Sequence, residues 1–369
     1  MLHIRALRHS YRSRSMTTSV FSATEGLTPA LGVQRLDSRR APWLQFFMQK
    51  LTFSVEISAP VRTVWNTMLD DEPYRQWTSV FEPDSYYEGS WDLGSEIRFI
   101  GPGEDGQSSG VIATVIERRQ DEYIAAEMTG QIVGGKRDTD SDDAKKIAGA
   151  QESYTFSERN GVTTVTAEPE TEDEYVEDFN RMWPQALLVL KKLAELRAAS
   201  GPPGSDSGSN TTINRSFTLV RYVDAPPAEV FRAWTDPEQL DWFFNTDQQR
   251  PATTEVDLRV GGQWRQLMVI DEQTRYVTGG IYREIEPGTR LVFVWGAVDG
   301  WPALDPDRLD EAPITTIDFD QAGDGTVMTF RLDLPENPDA RLLGAAVRTG
   351  WSQTIGRLVA QFARSESRT

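Results

Sequence analysis

One pattern occurs twice along this chain, on either side of a stretch rich in glycine, serine and proline at residues 199–214. That stretch has no apolar periodicity and has the composition of a flexible tether. The segments that flank it, 48–198 and 215–369, have similar lengths. Repetition constrains the fold more than any single motif, because both segments must then build the same structure. We therefore predict two domains, called here the first copy (48–198) and the second copy (215–369), joined by a linker.

Each copy begins with an alternating apolar run, an Ala-Pro pair and a short amphipathic segment. The pair is Ala59-Pro60 in the first copy and Ala225-Pro226 in the second. Alternation predicts a strand, and apolar residues three and four positions apart predict a helix. The apolar residues of this helix are Val64, Trp65 and Met68 in the first copy, and Val230, Phe231 and Trp234 in the second. Both copies are therefore expected to open with a strand, a turn and a short helix.

The later parts of the two copies also correspond. A glycine turn opens a strand at Gly94 and at Gly261, and glycines mark hairpins at Gly161 and Gly325. Each copy then ends in an amphipathic helix, whose apolar residues are Val176, Phe179, Trp183, Leu187, Leu190 and Ala194 in the first copy, and Val347, Trp351, Ile355, Leu358 and Phe362 in the second. Pro184 should kink the first of these helices or mark a new start. This order of elements predicts an α+β unit with the last helix lying across an antiparallel sheet.

Both copies resemble the START-like helix-grip fold, the superfamily that is named for the birch-pollen allergen Bet v 1 and contains polyketide cyclases. The second copy is similar to the family related to the heat shock protein 90 ATPase activator, in the stretches Asp224–Pro237, Gly261–Trp264, Gly280–Ile285 and Gly350–Ile355. The first copy retains the Ala-Pro start and the terminal helix. The resemblance implies two tandem helix-grip domains, each a curved antiparallel sheet closed over a long C-terminal helix. It does not fix the function, because one fold hosts many functions.

The charge of the chain is strongly acidic, with 38 Lys+Arg, 56 Asp+Glu and a formal net charge of −18. Nucleic acids require a basic footprint, so a nucleic-acid partner is not expected. No apolar run approaches the roughly 20 residues that span a bilayer. We predict a cytoplasmic protein without a membrane span. Residues 1–47 differ, because they contain seven Arg and two acidic residues. They are interpreted as a basic non-globular extension, a targeting segment, or sequence upstream of a true start at Met48.

The residue types that are missing limit the chemistry. Residues 48–369 contain neither His nor Cys. Their absence excludes Ser-His and Cys-His nucleophilic systems, His/Cys zinc sites and disulfides from this part of the chain. We predict no metal and no cofactor. Carboxylates, Tyr, Lys and Arg are the groups that remain for acid–base chemistry.

Two motifs resemble ligand-binding loops, but ordinary structural loops are predicted for both. Residues 101–106 fit G-x-G-x-x-G, but Glu104 and Asp105 would repel a pyrophosphate, so a hairpin loop is predicted. The acidic run 138–143 is similar to a calcium loop. It has Asp143 at the sixth position and Gly149 at the twelfth, where a calcium loop has Gly and Glu. A solvated loop is therefore predicted.

Five aromatic residues are candidates for ligand binding. Trp264, Tyr282 and Trp295 lie on predicted strands of the second copy, and Trp351 lies on its terminal helix. The resemblance implies that these elements line the cavity of the fold, and Trp183 lies on the terminal helix of the first copy. Large aromatic residues with polar groups suit a groove for an apolar or aromatic molecule. The alternative is that they fill the core and leave no cavity.

Candidates for acid–base work are fewer. Glu152 and Tyr154 alternate onto one face of a strand in the first copy, and Asp318 and Arg331 lie on strands of the second. A buried carboxylate beside Tyr or Arg is a candidate cyclase base, and surface salt bridges are the alternative. No catalytic residue is assigned, and whether the chain is an enzyme stays open.

The leading functional prediction is the binding of a hydrophobic small molecule in a helix-grip cavity. Its affinity would come from apolar burial and its orientation from a few polar groups. One alternative is a polyketide cyclase-like enzyme that uses a carboxylate, Tyr or Arg. Another is a co-chaperone-like module that contacts a chaperone or another protein, which only the resemblance implies.

Overall fold

The computed structural model describes residues 48–103, 106–201, 216–243, 254–269, 275–335 and 340–363. The chain divides into two compact units. The first contains the described residues before Val55, together with Asp84–Ser157 and Thr164–Trp183. The second contains Val55–Pro83, Glu158–Thr163 and the described residues from Pro184 onward. These units do not follow the sequence boundaries at 198 and 215, which stay a prediction. The basic segment 1–47 and most of the tether lie outside the described residues.

The first sheet is antiparallel, and two of its strands, Phe53–Ile57 and Val162–Glu172, alternate more and less buried side chains as period-2 patterning requires. Among the described residues its strands are β1 (Met48–Lys50), β2 (Phe53–Ile57), β3 (Tyr86–Gly89), β4 (Glu96–Pro102), β5 (Ser108–Arg119), β6 (Tyr123–Val133), β7 (Lys136–Asp138), β8 (Gln151–Arg159) and β9 (Val162–Glu172). The strand order is β1-β9-β8-β6-β5-β4-β3, with β2 also paired to β9 and β7 to β6. Consecutive strands are mostly neighbours, as in a meander.

The helices of the first copy follow the sequence pattern closely. They are α1 (Val61–Leu69), α2 (Asp71–Trp77), α3 (Asp142–Ile147) and α4 (Val176–Ala199), with short 3-10 helices at Thr78–Val80 and Asp173–Tyr175. Helix α4 continues through Pro184, so the predicted new start at this residue is not seen. Its predicted apolar face is buried, with Phe179, Trp183, Leu187, Leu190 and Ala194 each at most 2% exposed.

The second sheet has the same plan. Its strands are β10 (Ser216–Val223), β11 (Thr254–Val256), β12 (Gln263–Val269), β13 (Arg275–Glu286), β14 (Arg290–Trp295), β15 (Ile314–Ala322) and β16 (Gly325–Asp333). Their order is β10-β16-β15-β14-β13-β12-β11. The helices are α5 (Pro227–Thr235) and α6 (Ala340–Ala363), with 3-10 helices at Leu240–Phe243 and Leu309–Glu311. Helices α4 and α6 each contain 24 residues.

The Ala-Pro turn is held by the same hydrogen bond in both copies. In the first copy, Thr163 Oγ1 donates to the carbonyl oxygen of Ala59 at 2.7 Å. In the second, Thr326 Oγ1 donates to the carbonyl oxygen of Ala225 at 2.7 Å. Each threonine lies at the start of the last strand of its sheet. The two copies therefore share side-chain contacts as well as element order.

A tryptophan also closes the short helix in the same way in both copies. Trp77 Nε1 donates to the carbonyl oxygen of Met68 at 3.0 Å, and Trp242 Nε1 donates to that of Ala233 at 2.9 Å. Each indole thereby satisfies a carbonyl in the last turn of its helix, where intrahelical partners are missing. The predicted α+β class is confirmed: two antiparallel sheets in tandem, each followed by a long C-terminal helix. No helix in the described part of the chain is long and apolar enough to cross a membrane.

The structure can be compared with the loop predictions for the two motifs. The glycine motif at 101–106 joins the antiparallel strands β4 and β5, with Glu104 and Asp105 outside the described residues. The solvated loop predicted at 138–143 is wrong in its second half, because α3 begins at Asp142. Ser141 is the reason, since its side chain accepts a hydrogen bond from the backbone N–H of Ala144 at 3.1 Å and caps the helix.

The carboxyl group of Asp138 should give the fold a measurable dependence on acid pH. Hydrogen bonds from the Ser141 hydroxyl, the Gln131 amide and the backbone of Ser141 lower the pKa of Asp138 to about 2. A depressed pKa stabilises the folded state above the unfolded value near 3.8, and this stability is lost as the pH falls toward 2. After discounting for solvent screening at this partly exposed group, we expect Asp138→Asn to cost about 1 kcal/mol at pH 7 and much less at pH 2, where the carboxyl group is partly protonated. Urea unfolding at both values tests this, and an equal cost at both would contradict it.

Candidate functional site

The four aromatic candidates of the second copy lie inside it. Trp264 is on β12, Tyr282 on β13 and Trp295 at the end of β14, while Trp351 is on α6. Their exposed fractions are 7%, 1%, 5% and 5%, in that order. All four belong to one buried core cluster. The strands and the helix therefore direct these side chains toward one another.

Ring contacts hold α6 against the second sheet. The Trp351 ring centroid lies 4.6 Å from that of Phe330 and 5.4 Å from that of Trp295. On the sheet, Trp264 meets Phe293 edge-on at 5.6 Å. Such edge-on and offset contacts are favourable for aromatic pairs. Aromatic packing therefore contributes to the link between helix and sheet in this copy.

Little space remains among these rings. Trp264, Tyr282 and their aromatic neighbours enclose about 10 Å³, roughly the least volume that holds one water. Burial raises the pKa of the Tyr282 phenol, which therefore stays neutral. The packing corresponds to the core-filling alternative, and a ligand-binding role for these residues stays a prediction.

A larger cavity lies beside Trp295, and we call it the Trp295 cavity. It has a volume of about 300 Å³, the lower end of the roughly 300–1,000 Å³ typical of ligand pockets. Its lining residues are mostly apolar: Trp295, Trp301, Pro302, Ala303, Asp305, Arg308, Glu311, Ala312, Pro313, Leu334, Pro335 and Val347. The cavity therefore combines the end of β14, the loop that follows it and the helix α6.

The loop after β14 is held in place by its backbone. Gly296 has φ +145°, and a Cβ there would lie 2.8 Å from the carbonyl oxygen of Pro302, so glycine is required. The backbone N–H of Trp301 donates to the carbonyl oxygen of Val277 at 2.8 Å. These contacts bring the Trp301 ring to 5.3 Å from the Trp295 ring, edge-on. Trp301 is 40% exposed, so it forms an outer wall of the cavity.

The charged residues of the Trp295 cavity largely neutralise one another. Arg308 Nε donates to Glu311 at 3.0 Å, and its Nη2 donates to the same carboxylate. These bonds raise the pKa of Arg308, which stays cationic. Asp305 accepts a hydrogen bond from the backbone N–H of Asp307 at 3.0 Å. The cavity therefore combines apolar walls with polar groups, of which Arg308 and Glu311 are paired with each other.

A second groove of about 270 Å³ borders β12 and β13. Trp264 lines it, but glycines and charged residues dominate its walls, including Asp257, Arg259 and Arg265. Arg259 pairs with Asp257 at 2.9 Å, and Arg265 Nη2 reaches the carbonyl oxygen of Val298 at 3.5 Å. This groove is more polar than the Trp295 cavity and fits an apolar ligand less well.

In the first copy, Glu152 and Tyr154 are joined inside the fold. Both lie on β8, they are 6% and 2% exposed, and the Tyr154 hydroxyl donates a hydrogen bond to Glu152 Oε1. The Tyr154 ring lies 6.2 Å from that of Trp183 on α4, and Trp183 stacks on Phe53 at 6.0 Å. Sequence alternation alone placed the two on one face, and the structure adds the bond between them.

The acid–base candidates of the second copy lie in separate surface ion pairs. Asp318 pairs with Arg290 at 2.5 Å, and Arg331 pairs with Asp333 at 2.8 Å. The side chains of Asp318 and Arg331 are 34% and 55% exposed. These contacts correspond to the salt-bridge alternative. In the described part of the chain, no group of three or more acidic or His residues is arranged to hold a metal ion.

The Trp295 cavity contains one of the five sequence candidates and several residues that the sequence did not suggest. Trp295 lines it, while Trp351 and Trp183 line neither this cavity nor the two smaller spaces above. Trp301 and Pro302 were missed because they lie in a loop without periodicity. The signal was present, since Gly300-Trp301-Pro302 places a large aromatic residue between two turn-forming residues.

One known protein family matches most of the second copy. Residues 224–363 match the family described as Activator of Hsp90 ATPase homolog 1-like protein, which confirms the resemblance predicted for the second copy. No curated protein sequence matches the chain.

Several solved structures are similar to parts of the chain. Protein NE0264 from Nitrosomonas europaea is 24% identical over 42% of this chain and 97% of its own, with a TM-score of 0.35. The AHSA1-like protein from Aeromonas hydrophila is 18% identical over 41% and 94%, with a TM-score of 0.31. The di-domain ARO/CYC StfQ from the steffimycin biosynthetic pathway is 12% identical over 86% and 100%, with a TM-score of 0.33.

Proposed function

We propose that the second copy binds an apolar or aromatic small molecule in the Trp295 cavity. The observation that carries this proposal is a cavity of about 300 Å³, lined mostly by apolar residues, between the end of β14 and α6, the elements that a helix-grip fold brings together. Trp295 and Trp301 meet edge-on in its wall, and the partly exposed ring of Trp301 offers aromatic surface to a ligand ring. The paired Arg308 and Glu311 restrict the polar contacts to one side.

The affinity should come mainly from burial of apolar surface. Each Å² of apolar ligand surface removed from water contributes roughly 25 cal/mol, so a single-ring hydrocarbon that buries about 200 Å² gains about 5 kcal/mol before association costs. Such a small probe should bind weakly, with a Kd on the order of a millimolar. The natural ligand would be larger or would carry polar groups that add to this.

The exposed tryptophan Trp301 provides a direct test of the cavity. We expect Trp301→Ala to weaken the binding of p-xylene by about tenfold, because the variant removes one aromatic wall and roughly 1–2 kcal/mol of contact. Ligand-observed NMR titration of the full chain measures the Kd. Since Trp301 is 40% exposed, thermal melting should change little.

Leu93→Ala is the matched control for this test. Leu93 is 65% exposed, lies in the first copy and is remote in sequence from the cavity. Its removal should leave the affinity for p-xylene unchanged. Equal affinities in the parent and in Trp301→Ala, or no binding to the parent chain, would overturn the proposal.

A second candidate function is supported by one observation in the first copy. The buried pair of Glu152 and Tyr154 beside Trp183 places a carboxylate and a phenol in hydrogen-bond contact within an aromatic environment. Such a pair has the chemistry of a general acid–base unit for a cyclase-like reaction. Proton exchange at a bound aromatic polyketone, lost in Glu152→Gln, would support an enzyme.

The family match supports a further candidate partner. Because residues 224–363 match the activator family, contact of the second copy with a chaperone is the alternative to small-molecule binding. A cytoplasmic location and the absence of a nucleic-acid partner stay predictions. Pull-down with a purified chaperone ATPase, with and without an excess of p-xylene, separates the two uses of this copy.

A further inference from the structure

The second sheet ends at β10, the edge strand of the described strand order. Two backbone groups of this strand are bonded to a side chain of the first copy. Gln76 on α2 accepts a hydrogen bond from the backbone N–H of Val220 at 2.7 Å and donates one to the carbonyl oxygen of Thr218 at 3.2 Å. Gln76 is only 4% exposed, and all three residues belong to the second compact unit. The amide of Gln76 therefore satisfies edge groups that a further strand would otherwise pair with.

An ion pair lies beside this contact. Glu72 precedes Gln76 by one turn of α2 and accepts a hydrogen bond from the Gln76 amide at 2.6 Å. The carboxylate of Glu72 also pairs with Arg348 of α6. The Arg348 guanidinium lies 5.8 Å from the ring centroid of Phe217 on β10. Helix α2 therefore contacts both the edge strand and the terminal helix of the second copy.

A second helix of the first copy also reaches the second sheet. Lys192 on α4 pairs with Asp320 on β15 at 2.8 Å. Helix α2, the part of α4 after Pro184 and the described residues of the second copy all belong to the second compact unit. A single surface ion pair contributes little to such an arrangement. The buried amide of Gln76, bonded to two backbone groups, makes the contact of α2 a specific one.

The elements that α2 contacts lead directly to the Trp295 cavity. Arg348 follows Val347 on α6, and Val347 lines the cavity. The edge strand β10 pairs with β16 as far as Asp333, and the next residue, Leu334, also lines the cavity. The contacts of α2 are therefore one residue away from the cavity wall on α6 and one strand away from the wall at the end of β16.

We propose that Glu72 and Gln76 of the first copy are positioning residues for the Trp295 cavity, so that the contact of α2 raises the ligand affinity of the second copy. This inference rests on the proposed function and deepens it, because it names what regulates the site. A wall that is already held in its binding position needs less ordering when the ligand enters, and such pre-organisation increases affinity. The binding site of the second copy thus includes a support from the first.

The test measures the Kd of p-xylene for the full chain by ligand-observed NMR titration. Glu72→Gln removes the ion pair with Arg348 but keeps an oxygen for the Gln76 amide, and it should weaken binding about threefold. Gln76→Leu removes both bonds to β10 and should weaken binding about fivefold. The matched control is Asp71→Asn, which removes the same charge from the same helix. Asp71 pairs with Arg75 of α2 itself, so this variant should keep the parent Kd.

A second background distinguishes positioning from a general loss of structure. In Arg348→Met the partner of Glu72 is already missing, so the addition of Glu72→Gln should weaken p-xylene binding no further. An effect of Glu72→Gln that persists in this background would overturn the positioning role. Thermal melting shows which variants are folded at the titration temperature. The side chain of Glu72 is 53% exposed, so Glu72→Gln should fold and decide the question even if Gln76→Leu does not.

The outcomes separate this inference from the proposal beneath it. If p-xylene binds to the parent chain and weakens in Trp301→Ala, but Glu72→Gln and Gln76→Leu keep the parent Kd, the cavity stands and the positioning role is overturned. Equal weakening in Asp71→Asn and Glu72→Gln also overturns it. If p-xylene does not bind to the parent chain, both proposals fail. Weaker binding in both α2 variants, with no effect of Asp71→Asn, supports the positioning role.

Discussion

Replacing Trp351 with alanine should lower the free energy of unfolding of the second copy by about 3–5 kcal/mol, the range for removing a large aromatic side chain from a packed core. The indole lies within 6.2 Å of Trp234, Trp295, Phe243 and Phe330. These rings come from both sides of the core, so neighbours cannot collapse into the space without moving α6. Urea unfolding of the full chain, followed by far-UV circular dichroism, measures the loss.

Two other variants show whether the loss in Trp351→Ala is specific to this buried ring. Trp301→Ala removes a side chain of the same type that is 40% exposed, and it should cost much less. Trp183→Ala removes the 1% exposed tryptophan of α4 and should destabilise the first copy instead. If the two copies unfold in separate transitions, Trp351→Ala and Trp183→Ala should shift different ones. A loss below about 1 kcal/mol for Trp351→Ala would show that α6 is not held by this ring.

The architecture was predictable because the same sequence pattern occurs in both copies. Gly94 and Gly261 both have positive φ, at 81° and 79°, in the turn before β4 and β12. Glycine tolerates this conformation better than other residues, so a repeated glycine is a repeated backbone shape. Local signals of this kind need no knowledge of distant contacts. They predicted the strands, the short helices and the terminal helices in the right order.

The candidate site was less predictable, because it depends on which side chains fill space. Trp264, Trp295 and Trp351 have the same sequence signature, an aromatic residue on a core-facing position. Of these three, only Trp295 borders the Trp295 cavity, and it does so because the backbone of Trp301, in the loop that closes the cavity, is hydrogen-bonded to Val277. A cavity is the space that packed side chains leave unfilled, and the side chains that pack together are far apart in sequence.

The second large effect is expected in the first copy, at the pair of Glu152 and Tyr154. Tyr154→Phe keeps the ring beside Trp183 but removes the hydroxyl that bonds to Glu152. The carboxyl group then stays buried at 6% exposure without this donor. Leaving a buried acceptor without its donor costs about 1–3 kcal/mol, and the cost is at the upper end or above when the acceptor is charged. We expect a loss of about 3 kcal/mol in urea unfolding at pH 7.

A double variant tests whether the loss of stability in Tyr154→Phe comes from the broken bond to Glu152. Glu152→Leu combined with Tyr154→Phe removes both polar groups, so it should recover most of the stability lost in Tyr154→Phe alone. Glu152→Gln, which keeps an acceptor for the phenol, should cost little by itself. If the double variant is no more stable than Tyr154→Phe, the two residues act independently and the bond between them contributes nothing specific. If it does recover, the fold tolerates apolar residues at both positions, and the retention of a costly buried pair favours an acid–base role over a structural one.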